Sequence, residues 1–322
     1  MKAIFYDRYG PPDVLELREI DRPALAPDRV LIRVHTTSVN PVDWHYMRGE
    51  PYLVRISEGA RKPKTNVPGV DLAGRVEAVG DSVSQFKPGD EVFGAGSGTF
   101  AEYALAKETN LVPKPVGVSY EQGGVVAVAG CTAVQALRDH GRLQAGQRVL
   151  INGAAGGVGT FAVQISKALG AEVTGVCSSR NVEMVRSIGA DAVVDYAQQD
   201  FTRAGQRYDL ILDAVGNHSI RSIRGSLTPS GTAVFVGGGG SGRWLGPMVG
   251  PLKAMVLDRF VRQRLVSMLA KIAKDDLAFI SDLMLSGQLT PVIGRTFTLS
   301  EAADAVRYLE AGHARGKANI TI

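Results

Sequence analysis

The sequence predicts an α/β protein in two parts, an irregular β-rich domain followed by a doubly wound parallel sheet. Three observations carry this. A glycine-rich turn follows an apolar run in mid-chain, helical and apolar stretches alternate from Tyr120 onward, and the preceding ~120 residues are short alternating runs set between turn clusters. The first part reads as strands such as Val30–Val34 and Leu72–Val79, punctuated at Tyr9-Gly10-Pro11-Pro12, Lys87-Pro88-Gly89-Asp90 and Gly94–Gly98. Such punctuation suits a barrel-like domain. The second part places strands at Val149–Asn152, Val173–Cys177, Ala192–Asp195, Leu210–Asp213 and Ala233–Val236, with helices between them. That alternation means a parallel sheet covered on both faces.

After Gly237-Gly238-Gly239-Gly240 the pattern loosens. Helices are expected at Asp258–Ala273, with basic Arg259–Arg264 as a polar face, and at Asp276–Ser286. A further helix is expected at Ser300–Ala311, where Glu301 suits the N-terminal dipole, and Ala318–Ile322 reads as a closing strand. The pattern changes divide the chain into 1–122, 123–265 and 266–322.

Composition bounds the function. A chain of 322 residues suits two cores rather than one, and 45% apolar with 21% charged residues is ordinary for a soluble globular protein. The net charge of +4 comes from interleaved basic and acidic residues, so a solvated mixed surface is expected rather than a nucleic-acid partner. Cys131 and Cys177 lie in apolar settings and read as small buried hydrophobes. Met1–Arg8 becomes charged before a signal core forms, and no apolar run approaches the roughly 20 residues of a membrane span. The apolar stretch Trp244–Leu257 is broken by Pro247, Pro251 and Lys253. A cytoplasmic protein is the expectation.

The turn itself is Gly153-Ala154-Ala155-Gly156-Gly157-Val158-Gly159. Val149, Leu150 and Ile151 before it read as a buried strand, and Phe161, Val163, Ile165, Ala168 and Leu169 after it form a helical stripe. Glycine meets three needs here: a tight turn, close approach to a pyrophosphate, and contact between helix start and sheet. The helix N-terminus then holds phosphates through its N–H groups, so this is a Rossmann-type dinucleotide site. Ala155, Gly156, Gly157 and Val158 are its candidate contacts.

NAD-selective units place an acid about 20 residues beyond the glycines, on the adenosine ribose. This chain has Ser178-Ser179-Arg180 there. Two hydroxyls and a guanidinium would bind a 2′-phosphate that a carboxylate would repel, which favours NADPH. Ser178 as a helix cap and Arg180 as a solvated first-turn residue is the structural alternative, and both readings can hold together.

Several segments carry a family resemblance. They are Ser38–Trp44, Pro68–Gly74, Phe86–Gly94, Gly98–Tyr103, Gly130–Ala133, the glycine turn, and Arg315–Ala318. Together they resemble the medium-chain dehydrogenase/reductase superfamily over almost the whole chain, in its zinc-free quinone oxidoreductase (zeta-crystallin-like) and enone reductase branch. The resemblance implies a GroES-like catalytic domain beside the Rossmann-type one, with the segment 266–322 returning to complete the former. Zinc members of the superfamily take Cys or His ligands from the positions matching Asn40 and Val70, and neither residue can replace them. A four-cysteine lobe between Phe93 and Leu111 is also lacking, and His45 has no paired ligands, so no metal is expected.

Without a Lewis acid, the alkoxide of simple alcohol chemistry has no strong stabiliser. Quinones and α,β-unsaturated carbonyls delocalise their own charge, and they need chiefly a held nicotinamide, a held acceptor and a donor or two. The resemblance places Asn40 beside the nicotinamide ribose and substrate, where its amide can donate and accept; a turn-forming Asn before Pro41 is the alternative. Tyr46 and Tyr52 are candidate proton or hydrogen-bond donors to the acceptor, or aromatic packing beneath a loop. Asp43 and Asp71 are a candidate hydrogen-bonded pair at the empty zinc position.

Thr132 resembles a cofactor-contacting threonine, with a helix N-cap as its alternative, and Tyr196 resembles the tyrosine at the adenosine phosphate end. Ala214, Val215, Val236 and Gly237 lie at strand ends over which the cofactor passes, and Lys317 and Asn319 lie in the returning segment. The resemblance also implies a homodimer formed near the last strand of the nucleotide sheet, taken as Ala233–Val236, with Trp244–Leu257 as cover or interface. The expected partner is a small quinone or activated alkene. The rival reading is a redox-inactive or weakly active relative, serving as an NADPH-binding, RNA-binding or structural protein; the intact glycine turn argues against it.

Overall fold

Val149, Leu150 and Ile151 are wholly buried and form the centre of a parallel sheet. The computed structural model describes residues 1–236 and 262–322. Its six-stranded sheet runs, in spatial order, Ala192–Asp195, Glu172–Cys177, Arg148–Asn152, Tyr208–Asp213, Leu227–Val236 and Arg264–Met268. Chain order reverses direction at Arg148–Asn152; crossovers in such doubly wound sheets are right-handed and place helices on both faces. All pairings in this sheet are parallel, as the alternating sequence pattern requires.

Two features depart from the sequence reading. Arg264–Met268 is a strand, not part of a helix over Asp258–Ala273. A short apolar run such as Leu265-Val266 fits either period, and pairing with Leu227–Val236 decides it. That strand, not Ala233–Val236, is therefore the sheet's edge among the described residues. Gly237, the glycine run, Trp244–Leu257 and the first residues of the expected basic helix face lie outside the described residues.

The chain divides into two compact units, Met1–Cys131 with Ile272–Ile322, and Thr132–Lys271. The first change falls inside helix Ala127–Val134, and the second follows the sixth strand; composition alone puts these changes at 122/123 and 265/266.

The first unit holds a seven-stranded sheet ordered Ile293–Thr298, Lys317–Thr321, Val30–Val39, Asp71–Val79, Glu91–Ala95 and Leu111–Pro113, with Tyr103–Ala106 also on Val30–Val39. Val30, Ile32 and Val34 are buried and alternate with exposed Arg33 and His35, after which Thr36–Val39 is buried on both sides. Register shifts against Asp71–Val79 accompany this change. Pro41, preset for the first helical turn, then starts helix Pro41–Arg48, which Gly49 ends at φ +59°.

Near the C-terminus the helix is Ala302–Glu310, entered through a tight turn at Leu299–Glu301. Its start is set by Thr298, whose N–H donates to Glu301 Oε2 at 2.8 Å, rather than by Ser300. Among the described residues no helix is long and apolar enough to cross a membrane.

Candidate active site

The first unit gathers a buried polar constellation where Val39, Asp71 and Lys317 come together at strand ends. Lys317 is 3% exposed and its ammonium donates to Asn40 Oδ1 at 2.5 Å, to Asp71 Oδ2 at 3.2 Å and to Val39 O at 3.3 Å. Asn40 Nδ2 donates to Asp71 Oδ2 at 3.0 Å and to Ser38 O at 3.3 Å. Ser38 Oγ donates to Asp71 Oδ2 at 2.6 Å, and the main-chain N–H of Val128 to Asp71 Oδ1 at 2.8 Å. A buried ion pair is tolerable only when its remaining donors and acceptors are met, and here they are. The ammonium and carboxylate also fix which end of the Asn40 amide carries oxygen.

This arrangement changes three readings. The amide hydrogens of Asn40 are committed inside the protein, which leaves one lone pair of Oδ1 and not a donor. Lys317 likewise spends its three donors internally. Asp43 and Asp71 are not a hydrogen-bonded pair; Asn40 links them, giving its main-chain N–H to Asp43 Oδ2 at 2.7 Å and its side chain to Asp71. Burial pushes the Asp43 carboxyl up to about 7, with the Asp71 charge adding to the rise and the Asn40 N–H and Lys317 opposing it.

Asn319 accepts from Thr36 Oγ1 at 2.5 Å, and its Nδ2 is buried with no partner among the described residues. Tyr46, half-buried on helix Pro41–Arg48, has its hydroxyl pKa raised by burial and by Glu58 and Asp43, so it keeps its proton. The ring of Tyr52 lies 4.8 Å from the Arg55 guanidinium, which is 4.6 Å from Tyr9 on another side. That contact fits the packing alternative for Tyr52.

The second unit gathers the nucleotide candidates at the carboxyl ends of its strands. Gly153 turns at φ +90°. A Cβ on Gly159 would lie 2.1 Å from Gly153 O, so only glycine lets helix Gly157–Ala168 start this close to the strand. Gly156, at the N-cap, brings no capping side chain, and the first N–H groups of a 12-residue helix point outward beyond it. Ala155, Gly157 and Val158 complete the turn.

Asp213 ends the next strand at 1% exposure, a residue the sequence reading missed. Its Oδ1 accepts from Asn152 Nδ2 at 2.9 Å and from the N–H groups of Val215 and Gly216 at 3.1 and 2.9 Å, shaping the Ala214–Gly216 turn. Its Oδ2 is buried with no hydrogen-bond partner among the described residues. A glycine cradle, an uncapped helix start and a spare buried acceptor together fit a dinucleotide.

Ser178, Ser179, Arg180 and Tyr196 come together, since Asp195 pairs opposite Cys177 and Tyr196 N–H donates to Cys177 O at 3.1 Å. Ser178 Oγ accepts from Asn181 Nδ2 at 3.1 Å and makes no cap of its own. Thr132 sits within helix Ala127–Val134, not at its N-cap, and Val236 is half-buried at a strand end. Cys131 and Cys177 are both buried, and burial together with Asp195 pushes the Cys177 thiol up to about 11.

Comparison with known proteins gives the family. Residues 26–116 match the alcohol dehydrogenase GroES-like domain, and residues 188–318 match a family described as zinc-binding dehydrogenase. The chain is 33% identical over 334 residues to the chloroplastic quinone-oxidoreductase QR1 of Triphysaria versicolor, covering 98% of this chain and 97% of that protein. It is 41% identical over 209 residues to the trans-enoyl reductase pgmF of Aspergillus terreus, across 60% of this chain and 56% of that one. The structure of the quinone oxidoreductase from Coxiella burnetii superposes with a TM-score of 0.88 at 30% identity, covering 100% and 99% of the two chains. The chain is thus an oxidoreductase of the medium-chain dehydrogenase/reductase superfamily and belongs to its quinone oxidoreductase branch.

Proposed function

We propose that the protein reduces a quinone or an α,β-unsaturated carbonyl compound with NADPH and without a metal. The observation that carries this is the commitment of the Asn40 amide to Lys317 and Asp71, at the position where the resemblance implies that zinc members offer a thiolate or imidazole. That donor set offers an amide oxygen at most, and it does not suit tetrahedral zinc. Val70 at the second ligand position supports the same reading. The bound nicotinamide would supply the hydride.

The chain's own residues do the rest. Gly156, Gly157 and Val158 would hold the pyrophosphate through main-chain N–H groups. Arg180, exposed beside the end of strand Glu172–Cys177, is the cation proposed to favour the 2′-phosphate. Tyr46 keeps its proton and would donate to the acceptor oxygen. Relatives named as quinone and enoyl reductases support both acceptor classes. The test is NADPH and NADH oxidation by the purified chain against a quinone panel and an enone and enal panel. Faster turnover of saturated alcohols than of either panel would overturn the reading.

A further inference from the structure

A carboxylate from another strand is hydrogen-bonded to the segment expected to read a 2′-phosphate. Ser179 Oγ donates to Asp195 Oδ2 at 2.6 Å, across 16 positions of sequence. Gln198 Nε2 donates to the same oxygen at 2.9 Å, and the Ala197 N–H to Oδ1 at 3.0 Å. These bonds, that from Ser179 first, hold the Asp195 carboxyl below the usual carboxylate range, so it is charged at neutral pH. Ser179, its chain neighbour Arg180, and Tyr196, which follows Asp195 in the chain, are exposed.

The consequence follows from proton counting. A serine hydroxyl has one hydrogen, and Ser179 gives it to Asp195. Toward a 2′-phosphate, Ser179 then presents lone pairs, and Asp195 adds a negative charge. Toward an unphosphorylated ribose, Asp195 is an acceptor for a hydroxyl. Dinucleotide folds usually draw that acid from the end of the second strand; here its chemistry arrives at the end of the third, beside the same spot.

We infer that Asp195 is a cofactor-selectivity residue, accepting from the adenosine ribose of NADH and weakening the hold of Arg180 on the 2′-phosphate of NADPH. This rests on the cofactor reading above. NADPH stays preferred through Arg180, and NADH is accepted as well.

The experiment is calorimetric titration of the full chain with two half-cofactors, adenosine 2′,5′-bisphosphate and AMP. Asp195→Asn keeps an acceptor for the Ala197 N–H and removes the charge, and Asp195→Ser is the second variant should the first misfold. Either is expected to raise the ratio of bisphosphate to AMP affinity about tenfold. Ser179→Ala should leave that ratio within about twofold, because its hydrogen is already spent. Arg180→Gln should lower it about tenfold. An unchanged ratio in a folded Asp195 variant overturns the inference and leaves the cofactor reading standing. Failure of the wild-type chain to bind either compound overturns the cofactor reading, and this inference with it.

Discussion

Lys317 Nζ lies 3.2 Å from Asp71 Oδ2, with side chains 4% and 0% exposed, and both groups hold the same Asn40 amide. The pair therefore acts through Asn40, as its orienting frame. Lys317→Met leaves the Asp71 charge buried without its counter-ion, a change that typically costs about 3–5 kcal/mol. Chemical denaturation should show that loss. The double variant Lys317→Met with Asp71→Asn should recover more than half of it, and no recovery would mean the two residues are not coupled.

Stability should depend on pH through Asp43. Its carboxyl, pushed up to about 7 in the folded chain, titrates near 3.9 when unfolded. Between those values the folded chain holds a proton that the unfolded chain has released. Stability from this group is fully present below about pH 4, declines as pH rises toward about 7, and levels off above that. Thermal melts between pH 5 and pH 8 should thus lose more in the wild type than in Asp43→Asn, whose amide oxygen still accepts the Asn40 N–H. Parallel pH slopes would refute the assignment.

How far the sequence speaks depends on the range of the contact. The glycine turn was legible because strand, turn and helix start are contiguous, and the strands of the parallel sheet were legible for the same reason. Asn40 was found through its motif, but its commitment to Lys317 spans 277 positions and no local pattern announces it. Asp195 is not legible locally, because the ribose acid is expected at the end of the second strand, whereas the sheet brings the next strand's end alongside. Arg264–Met268 is ambiguous in sequence because a short apolar run carries no distinguishing period, and the edge of a sheet exists only once the sheet has formed.

That edge leads to an assembly prediction. Among the described residues Arg264–Met268 pairs only with Leu227–Val236, leaving its other side unpaired, and the adjoining Leu269 is 93% exposed. An open edge invites a second copy. Light scattering at micromolar concentration is expected to give the dimer mass, and Leu269→Asp should shift the population toward monomer. A monomeric wild-type chain would rule this out.

Activity is expected to survive exhaustive chelation, and elemental analysis should find no stoichiometric zinc. The family model described as zinc-binding makes this a discriminating measurement. One tightly held zinc per chain, lost together with activity, would contradict the role given to Asn40 and Val70.

The last prediction concerns the reaction. On the proposed metal-free reading, an amide at position 40 held by Lys317 and Asp71 does not replace the charge stabilisation that a metal gives an alkoxide, and the expected acceptor spreads its own developing charge. Hydride is then expected at a quinone or at the β-carbon of an enone, with a proton added at oxygen or at the α-carbon. Asn40→Ala removes a partner from both Lys317 and Asp71, and displacement of the acceptor or nicotinamide by about 1 Å costs on the order of 10²-fold in turnover. NADPH affinity should change little, because the pyrophosphate contacts proposed for Gly156, Gly157 and Val158 are untouched. Tyr46→Phe should reduce turnover less, since solvent can supply the proton. NADPH carrying deuterium at the transferred position tests this directly: label at the β-carbon of the saturated ketone, or a primary isotope effect on quinone reduction, supports the mechanism. Absence of both, with ready turnover of simple alcohols, would reject it.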